Sequence, residues 1–365
     1  MKPGVFWSGI SGVTDNNWCA GIDIVVPSDF KANENVADWP HREVNKLKKE
    51  AELPIEGLDK ITPKEPITAT ITAEELDKLW GECVNEQGAN WNKSSVARDK
   101  FQTLGASMLY YAIPRLSSEN HYEFTWALSF VKTQGKAAVP VLLEHLKLKD
   151  KRLRRMIIYT LGDTADKSVT EPLLIYLQQP GLVDVTCMSL GKLKDSRAVP
   201  ALLKLVDTKA FKESDSIRKI VAVALGNIAD PAAIPHLIKA LDEEYFWVRY
   251  PAEQALIQIG EPSVSALLDL VKANRFPASA HAIEALGRIK SKDAKVYDAL
   301  VKGLTNADWA MRGFEVEALG DLGNTNALSA FDTLKKTETH PFVLGKIEWA
   351  VDKLTSKPSP VETPK

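Results

Sequence analysis

The sequence predicts an all-α fold, a right-handed superhelix of about seven or eight stacked helical hairpins preceded by a small appendage that contains a β-hairpin. Three observations predict it. A short motif recurs at a nearly constant interval, each copy is followed by a polar turn and an apolar helix that opens with proline, and residues 1–70 lack this pattern. A repeat of this length is one supersecondary unit, and single units of this kind become stable only when they stack.

The recurring motif ends in Ala-Leu-Gly or a close variant, and its fourth residue serves here as an anchor. The clearest anchors are Gly162, Gly191, Gly226, Gly287 and Gly320, and weaker copies place anchors at positions 105, 129, 257 and 352. Successive steps are 24, 33, 29, 35, 31, 30, 33 and 32 residues. The last seven steps average about 32 residues, which is typical of helical-pair repeats. The short first step predicts a degenerate first hairpin, and the step of 35 predicts a longer loop at residues 208–216.

Each unit consists of a helix A that carries the anchor, a turn, and a helix B. Helix B opens near a proline, as at Pro140, Pro172, Pro200 and Pro235. Proline suits the first turn of a helix because its missing N–H would have no intrahelical partner there. Apolar residues recur three and four apart, so each helix presents an apolar stripe. We expect the small anchor residues to let successive A helices approach closely.

The two ends of the chain differ from the repeats. Residues 5–13 and 18–26 predict the strands of a β-hairpin, which is either an independent appendage or the remnant of a longer upstream domain. Prolines then recur as in a linker up to Pro66. We therefore divide the chain into an appendage with linker (1–70), the repeats (72–355), opened by a capping box from Thr72 to Glu75, and a disordered tail (356–365).

Composition argues against several classes of function. The 365 residues carry a formal charge of −2, which argues against a dedicated nucleic-acid binder. The three cysteines have no metal or redox spacing, and no apolar run is long enough for a membrane span. The first residues do not resemble a signal peptide, so we expect a cytoplasmic protein, or a secreted or periplasmic one if the natural chain begins further upstream.

The Ala-Leu-Gly anchor, the Val/Ile-Pro-x-Leu start of helix B and an arginine eight residues before the anchor resemble HEAT-like repeats of the phycobilisome-lyase type. The resemblance covers about residues 90–355. It implies an armadillo-type α-solenoid. It also implies several functions, because such repeats occur in scaffolds and adaptors, in bilin lyases and in DNA glycosylases.

From these functions we select a monomeric, non-catalytic scaffold that binds a protein or peptide and needs no cofactor. The alternatives are a lyase-type subunit that holds an open-chain tetrapyrrole and a nucleic-acid-binding protein or glycosylase. A rigid stack presents an ordered concave face, on which we expect the B helices to contact the partner. The candidate contact residues on that face are His145, Lys147, Tyr176, Lys204, His236, Lys239 and Asp269.

Two sets of basic residues have alternative interpretations. Arg154, Arg218, Arg249 and Arg312 recur at one position of helix A, which favours a structural ladder that pairs with neighbouring inter-repeat turns over an anion-binding one. The run at residues 147–155 is the strongest local charge feature. Its candidate anion-binding patch, if it is more than a solvated edge, consists of Lys149, Lys151, Arg152 and Arg155.

Aromatic residues and histidines are the remaining candidates for ligand sites. Trp247 and Trp309 lie near the start of helix A, with further aromatic residues around them at Tyr245, Phe246, Tyr250 and Phe276. They are interpreted as fillers of inter-repeat gaps, with a nucleic-acid groove as the alternative. No histidine is followed by glutamate, unlike in the iron-dependent deoxyhypusine hydroxylases, and no His-x-x-x-His or Cys/His cluster exists, so we predict no metal.

Overall fold

The computed structural model describes residues 71–84 and 91–356, which all belong to one compact unit, Pro54–Lys365. The predicted β-hairpin, the linker and the tail beyond Ser356 lie outside the described residues. Within them the fold is an all-α stack of helical hairpins, as the period predicts. The right-handed sense of the superhelix stays a prediction.

The described α-helices follow one another in regular alternation. In chain order they are α1 (Ala73–Val84), α2 (Trp91–Thr103), α3 (Leu109–Ala112), α4 (His121–Thr133), α5 (Val139–His145), α6 (Lys151–Asp163), α7 (Thr170–Leu174), α8 (Val183–Leu193), α9 (Val199–Leu205), α10 (Lys209–Glu213), α11 (Asp215–Ile228), α12 (Ile234–Ala240), α13 (Phe246–Ile259), α14 (Val264–Ala273), α15 (Ala278–Ile289), α16 (Ala294–Gly303), α17 (Trp309–Leu322), α18 (Ala327–Lys335) and α19 (Pro341–Thr355). The A helices are α2, α4, α6, α8, α11, α13, α15, α17 and α19.

The B helices are shorter than the A helices, and 3-10 turns extend most of them. These turns are Gly105–Met108, Ile113–Ser117, Gly135–Ala138, Lys167–Val169, Ile175–Gln178, Ser196–Ala198, Pro231–Ala233 and Glu261–Ser263. Helices α5, α9 and α12 begin one residue before Pro140, Pro200 and Pro235, as predicted. The short helix α10 lies in the predicted loop at 208–216. In the described ranges, no helix combines the length and hydropathy needed to cross a lipid bilayer.

The turn from helix A to helix B depends on an aspartate cap. After α6, α8 and α11, Asp166, Asp195 and Asp230 each accept a hydrogen bond from the backbone N–H two residues later. A cap of this type stabilises a helix start by about 1 kcal/mol. The residue before each of these aspartates has a positive φ, between 51° and 57°, which ends helix A and redirects the chain.

The capping box predicted at Thr72–Glu75 is confirmed, and α1 opens the stack. The Thr72 N–H donates to the Glu75 carboxylate at 2.9 Å, and the Glu75 N–H donates to the Thr72 hydroxyl at 3.2 Å. On the other side of α1, Trp80 packs edge-on against Phe101 of α2, whose ring contacts Phe130 of α4 at a centroid distance of 4.8 Å. This aromatic cluster covers the apolar end that the first hairpin would otherwise expose.

Glycines bring successive A helices into backbone contact. A Cβ added at Gly191 would lie 2.9 Å from the Cα of Ala224 in the next A helix, and one added at Gly226 would lie 2.8 Å from the Cα of Ala255. Real Cβ atoms do not approach that closely, so only glycine allows this spacing. The small residue two positions before the next anchor, such as Ala224, Ala255 or Ala318, is thus the surface on which the preceding glycine packs. The close approach expected from the sequence is confirmed.

The junction between α13 and α15 differs, because Ile257 replaces glycine at the anchor of α13. A polar network fills this junction instead. Glu253 of α13, which is buried, meets His281 of α15 at 2.6 Å. Between Gly162 and Gly320, the stack therefore changes from backbone contact to side-chain contact at this one anchor.

Replacing Gly287 by alanine tests the role of the anchor glycines. The added Cβ would lie 2.6 Å from the Cα and 2.7 Å from the carbonyl oxygen of Ala318, so we expect Gly287→Ala to lower the free energy of unfolding by about 1–3 kcal/mol. Gly345 of α19 is the matched control, because a Cβ added there would have no heavy atom within 4 Å. Gly345→Ala should instead raise stability by about 0.5–1 kcal/mol through helix propensity. Denaturant unfolding measures both, and a stabilising Gly287→Ala would contradict the packing.

Candidate binding surface

Among the described residues, nearly all exposed large apolar side chains lie on A helices or in the turns that lead into them. These are Val96, Tyr122, Met188, Val223, Phe246, Trp247, Tyr250, Phe276, Trp309 and Trp349. Ile175 is the exception, because it follows the B helix α7. We call this surface, formed by the exposed faces of the A helices and their leading turns, the helix-A side. Its apolar character is unusual, since exposed helix faces of folded proteins are mostly polar.

Two tryptophans on the helix-A side are held by a second ring. Trp247 is 50% exposed and stacks on Tyr245 with ring centroids 5.0 Å apart and planes 15° apart. Trp309 is 43% exposed and stacks on His340 at 4.0 Å with planes 8° apart. Phe276, in the turn from α14 to α15, is 64% exposed. Trp247, Phe276 and Trp309 form the aromatic edge. They lie at or just before the starts of three consecutive A helices, and their exposed rings do not only fill gaps between repeats.

The residues predicted on the helix-B face fall into two groups. His145 and Tyr176 are buried, so neither side chain is available to a partner, and His145 Nδ1 lies 2.8 Å from the Val141 carbonyl oxygen. The remaining residues are exposed or half-buried: Lys147, Lys204, Lys239, Asp269 and His236. Burial lowers the pKa of His236, whose ring packs against Phe211. The exposed part of the predicted set is therefore charged and lacks an apolar anchor.

The arginine ladder has a repeated geometry. Arg154, Arg218, Arg249 and Arg312 each donate to the backbone carbonyl six residues earlier, at 2.7, 2.8, 2.8 and 2.8 Å. These carbonyls lie at or just after the end of the preceding helix, where no intrahelical donor remains for them. Each guanidinium thus ties the start of helix A to the turn before it. Arg312 also donates to Glu338 at 2.6 Å, and this pair holds the pKa of Glu338 at about 2.

The basic run at 147–155 is partly used inside the stack. Arg155 forms two hydrogen bonds with Asp184 of α8, and Arg154 is buried. Arg152 is exposed and donates to the Ser118 carbonyl oxygen at 2.8 Å. Lys149 and Lys151 are exposed as well. Of the candidate anion patch, Lys149, Lys151 and Arg152 face solvent, whereas Arg155 serves the contact between α6 and α8.

The polar network between α13 and α15 is the most concentrated group of titratable side chains on the helix-A side. His281 Nδ1 lies 2.6 Å from the Glu253 carboxylate, and Arg249 donates to His281 Nε2 at 3.2 Å. Glu284 lies next to this pair, 3.7 Å from His281 Nδ1. Burial, together with the negative charges of Glu253 and Glu317, raises the pKa of Glu284 to about 8, so this carboxyl is protonated at neutral pH.

Glu253, His281 and Glu284 place three ligand-type atoms within 4.8 Å of one another, a spacing that could hold a metal ion. The hydrogen bonds argue against that use. Since Arg249 donates to Nε2, the proton of the neutral ring is on Nδ1, the same atom that would have to bind the metal. A metal-bound histidine normally donates its other N–H to an acceptor, and here that nitrogen faces a guanidinium. The donor set fits a neutral hydrogen-bonded histidine better than a metal ligand.

Comparison with known proteins agrees with the repeat architecture. Residues 184–257 match the family model of HEAT repeats. The chain contains HEAT repeats. No curated protein matches it in a sequence comparison.

Solved structures similar to this HEAT-like repeat protein include a bacterial protein, a human hydroxylase and a lyase complex. YibA of E. coli is 19% identical, with 79% of this chain and 99% of that chain covered and a TM-score of 0.40. Human deoxyhypusine hydroxylase with glycerol is 17% identical, with 70% and 99% covered and a TM-score of 0.31. The CpcE–CpcF complex of phycocyanin lyase from Nostoc is 22% identical, with 67% and 94% covered and a TM-score of 0.35.

Sequence reasoning missed the buried charged groups of this HEAT-like repeat protein. Glu253 lies four residues before its anchor, where the other A helices have mostly apolar residues such as Ile158, Ala222 and Ile283. Glu315 lies five before its anchor and is 2% exposed, with one carboxyl oxygen that has no hydrogen-bond partner among the described residues. Aligning the repeats row by row would have marked both glutamates as charges in apolar rows.

Glu315→Gln tests the consequence of burying this carboxyl. Burial raises the pKa of Glu315 from 4.5 to about 9. Between these two values the folded protein retains a proton that the unfolded chain releases. The free energy of unfolding should therefore fall by about 1.4 kcal/mol per pH unit as the pH rises through this window.

Glutamine has the same shape and does not titrate. Urea unfolding should show equal stabilities of wild type and Glu315→Gln near pH 4 and a more stable variant at pH 8. The same change at the exposed Glu348 is the control and should leave the pH dependence unchanged. Parallel pH profiles of wild type and Glu315→Gln would show that Glu315 ionises normally.

Proposed function

We propose that this HEAT-like repeat protein is a non-catalytic scaffold that binds a protein or peptide partner through the helix-A side. The observation that carries the proposal is the collection of exposed apolar side chains on that side. Aromatic residues dominate the energetics of most protein interfaces, and each can bury 150–250 Å² (a range for Phe, Tyr and Trp in general). An unbound surface with this composition is typical of an interaction site.

The order of these side chains supports binding as well. Trp247 and Trp309 are each stacked on a neighbouring ring, so their rotamers are restricted before a partner arrives. The backbones that carry them belong to helices fixed by core packing. Immobilising a flexible side chain on binding costs about 0.5–1.5 kcal/mol, and a surface that is already ordered avoids much of this cost.

The helix-B face, which the sequence suggested as the binding face, has weaker support. Its exposed predicted residues are mainly lysines, among them Lys204 and Lys239. Exposed ion pairs contribute about 0–1 kcal/mol each because water and salt screen them. Such residues can adjust the rate and selectivity of association, whereas the apolar groups on the opposite side supply the larger share of affinity.

A capture experiment with matched surface variants tests the proposal. Wild type, Trp247→Ala/Trp309→Ala and Lys204→Ala/Lys239→Ala are immobilised and exposed to an extract of the source cells, and retained proteins are quantified by mass spectrometry. We expect at least one protein that wild type and the lysine variant retain equally. Its recovery on the tryptophan variant should fall about tenfold or more, because two apolar anchors are removed.

Circular dichroism and thermal unfolding of each variant provide the control for folding. The tryptophans are half exposed, so their loss should leave the helical signal unchanged. Equal recovery on wild type and the tryptophan variant, with loss on the lysine variant, would place the partner on the helix-B face. The absence of any specifically retained protein would count against a scaffold.

A further inference from the structure

Three side chains on consecutive A helices form an apolar stripe. Tyr159 of α6, Met188 of α8 and Val223 of α11 each lie three residues before the anchor glycine of their helix. Met188 is 40% and Val223 42% exposed, and Tyr159 is half-buried. Because the anchor glycines hold these helices in backbone contact, the three side chains occupy equivalent positions on neighbouring helices. The partly buried Met156 and Ile220 extend the apolar stripe toward the starts of α6 and α11.

The side of the apolar stripe that faces the starts of α6 and α11 is basic. Lys151 and Arg152 occupy the first turn of α6, and Lys219 lies in the first half of α11, one turn before Val223; all three are exposed. Between them, Arg155 and Asp184 neutralise each other across α6 and α8. Asp215 is likewise paired with Arg218, and Asp150 caps α6, so Lys151, Arg152 and Lys219 outnumber the one remaining carboxylate. The charge of this border is therefore positive, whereas the whole chain carries −2.

The opposite side of the apolar stripe, toward the ends of the A helices, is also basic. Lys132 of α4 and Lys192 of α8 bind the single carboxylate of Asp163 at 2.7 and 2.6 Å. Both ammonium groups lie over the ring of Tyr159, at 5.0 and 3.8 Å from its centroid. These two cations hold the pKa of Asp163 below its usual range although burial opposes the shift. Two positive charges on one negative charge leave this border with a positive excess.

We propose that the apolar stripe docks an acidic amphipathic helix of a partner protein, with apolar residues against Met188 and Val223 and carboxylates over the basic borders. This inference rests on the proposed scaffold function and names its partner class. Charge complementarity selects an acidic partner, because basic groups flank the apolar stripe on both sides. The geometry also fits. Packed helices lie about 8–10 Å apart, and seven residues of a docked helix span about 10.5 Å, so apolar residues seven apart meet successive A helices.

The arrangement of charges around the apolar stripe favours an acidic helix over nucleic acid. A duplex presents phosphates along its whole contact surface and needs basic residues throughout the surface that it covers. Here the centre of the surface is apolar, and the positive charges lie at the borders. An amphipathic helix has the matching order, with an apolar stripe bordered by charged side chains.

Designed peptides test the docking directly. The probe is a fluorescein-labelled helical peptide of about 18 residues, with leucines seven apart and glutamates on both sides of the leucine stripe. We expect its anisotropy to rise on titration with the full chain and its affinity to fall with added salt. A peptide with lysine in place of every glutamate should bind at least tenfold more weakly. So should a peptide of the same composition in scrambled order.

Variants of the chain locate the site. Met188→Ser/Val223→Ser removes exposed apolar groups, and Lys151→Glu/Lys219→Glu reverses one basic border; each should weaken the acidic peptide about tenfold. Lys204→Glu/Lys239→Glu, on the helix-B face, is the matched charge control and should change affinity less than twofold. Unchanged thermal unfolding of each variant shows that the effect is local.

Three results would overturn the docking proposal. These are no binding of the acidic peptide, equal binding of the lysine peptide, and a short DNA duplex that binds with the same sensitivity to the Lys151/Lys219 variant. If any of them occurs while the capture experiment finds a partner that the tryptophan variant fails to retain, the acidic helix is rejected. The proposed scaffold function then stands. Peptide binding that follows the variants, combined with no retained cellular protein, would instead reject the scaffold as proposed.

Discussion

The contact between an anchor glycine and the small residue of the next A helix sets the geometry of this protein. At Gly162, Gly191 and Gly226 an added Cβ would fall within 3 Å of the following helix. This contact brings the two backbones together with no glycine side chain between them, and it fixes the position of one A helix along the next. Side chains at equivalent positions then form rows across the stack. The apolar stripe exists only because successive glycines keep Tyr159 and Met188 in register.

Where the glycine is absent, the chemistry of the stack changes. Ile257 holds the anchor position of α13, and the contact with α15 is made by Glu253, His281 and Arg249. In the same region, burial and the negative charges of Glu253 and Glu317 raise the pKa of Glu284 to about 8. The helix-A side is correspondingly different before and after this junction. The apolar stripe with its basic borders lies before it, and the aromatic edge begins at it with Trp247 on α13.

Much of the fold could be predicted from local patterns, because the same local pattern recurs in several repeats. The capping box, the proline-led B helices and the glycine contacts each depend on a few neighbouring residues. The binding surface depends on features that no single repeat contains. Glu253 and His281 meet across two repeats without a shared motif. The prediction that His145 and Tyr176 contact a partner is not supported, because both side chains are buried. Tyr176 lies in a 3-10 turn, where the exposed positions differ from those of a regular α-helix.

Hydrogen exchange monitored by mass spectrometry at increasing denaturant concentration tests the glycine contacts most directly. In a repeat stack, neighbouring units open together when their interface is strong and separately where it is weak. If backbone contact at glycine couples the A helices, amides of α6, α8, α11 and α13 should become exchangeable together, with the boundary to α15, α17 and α19 at Ile257. A boundary between α8 and α11, where Gly191 meets Ala224, would contradict the central role of these contacts.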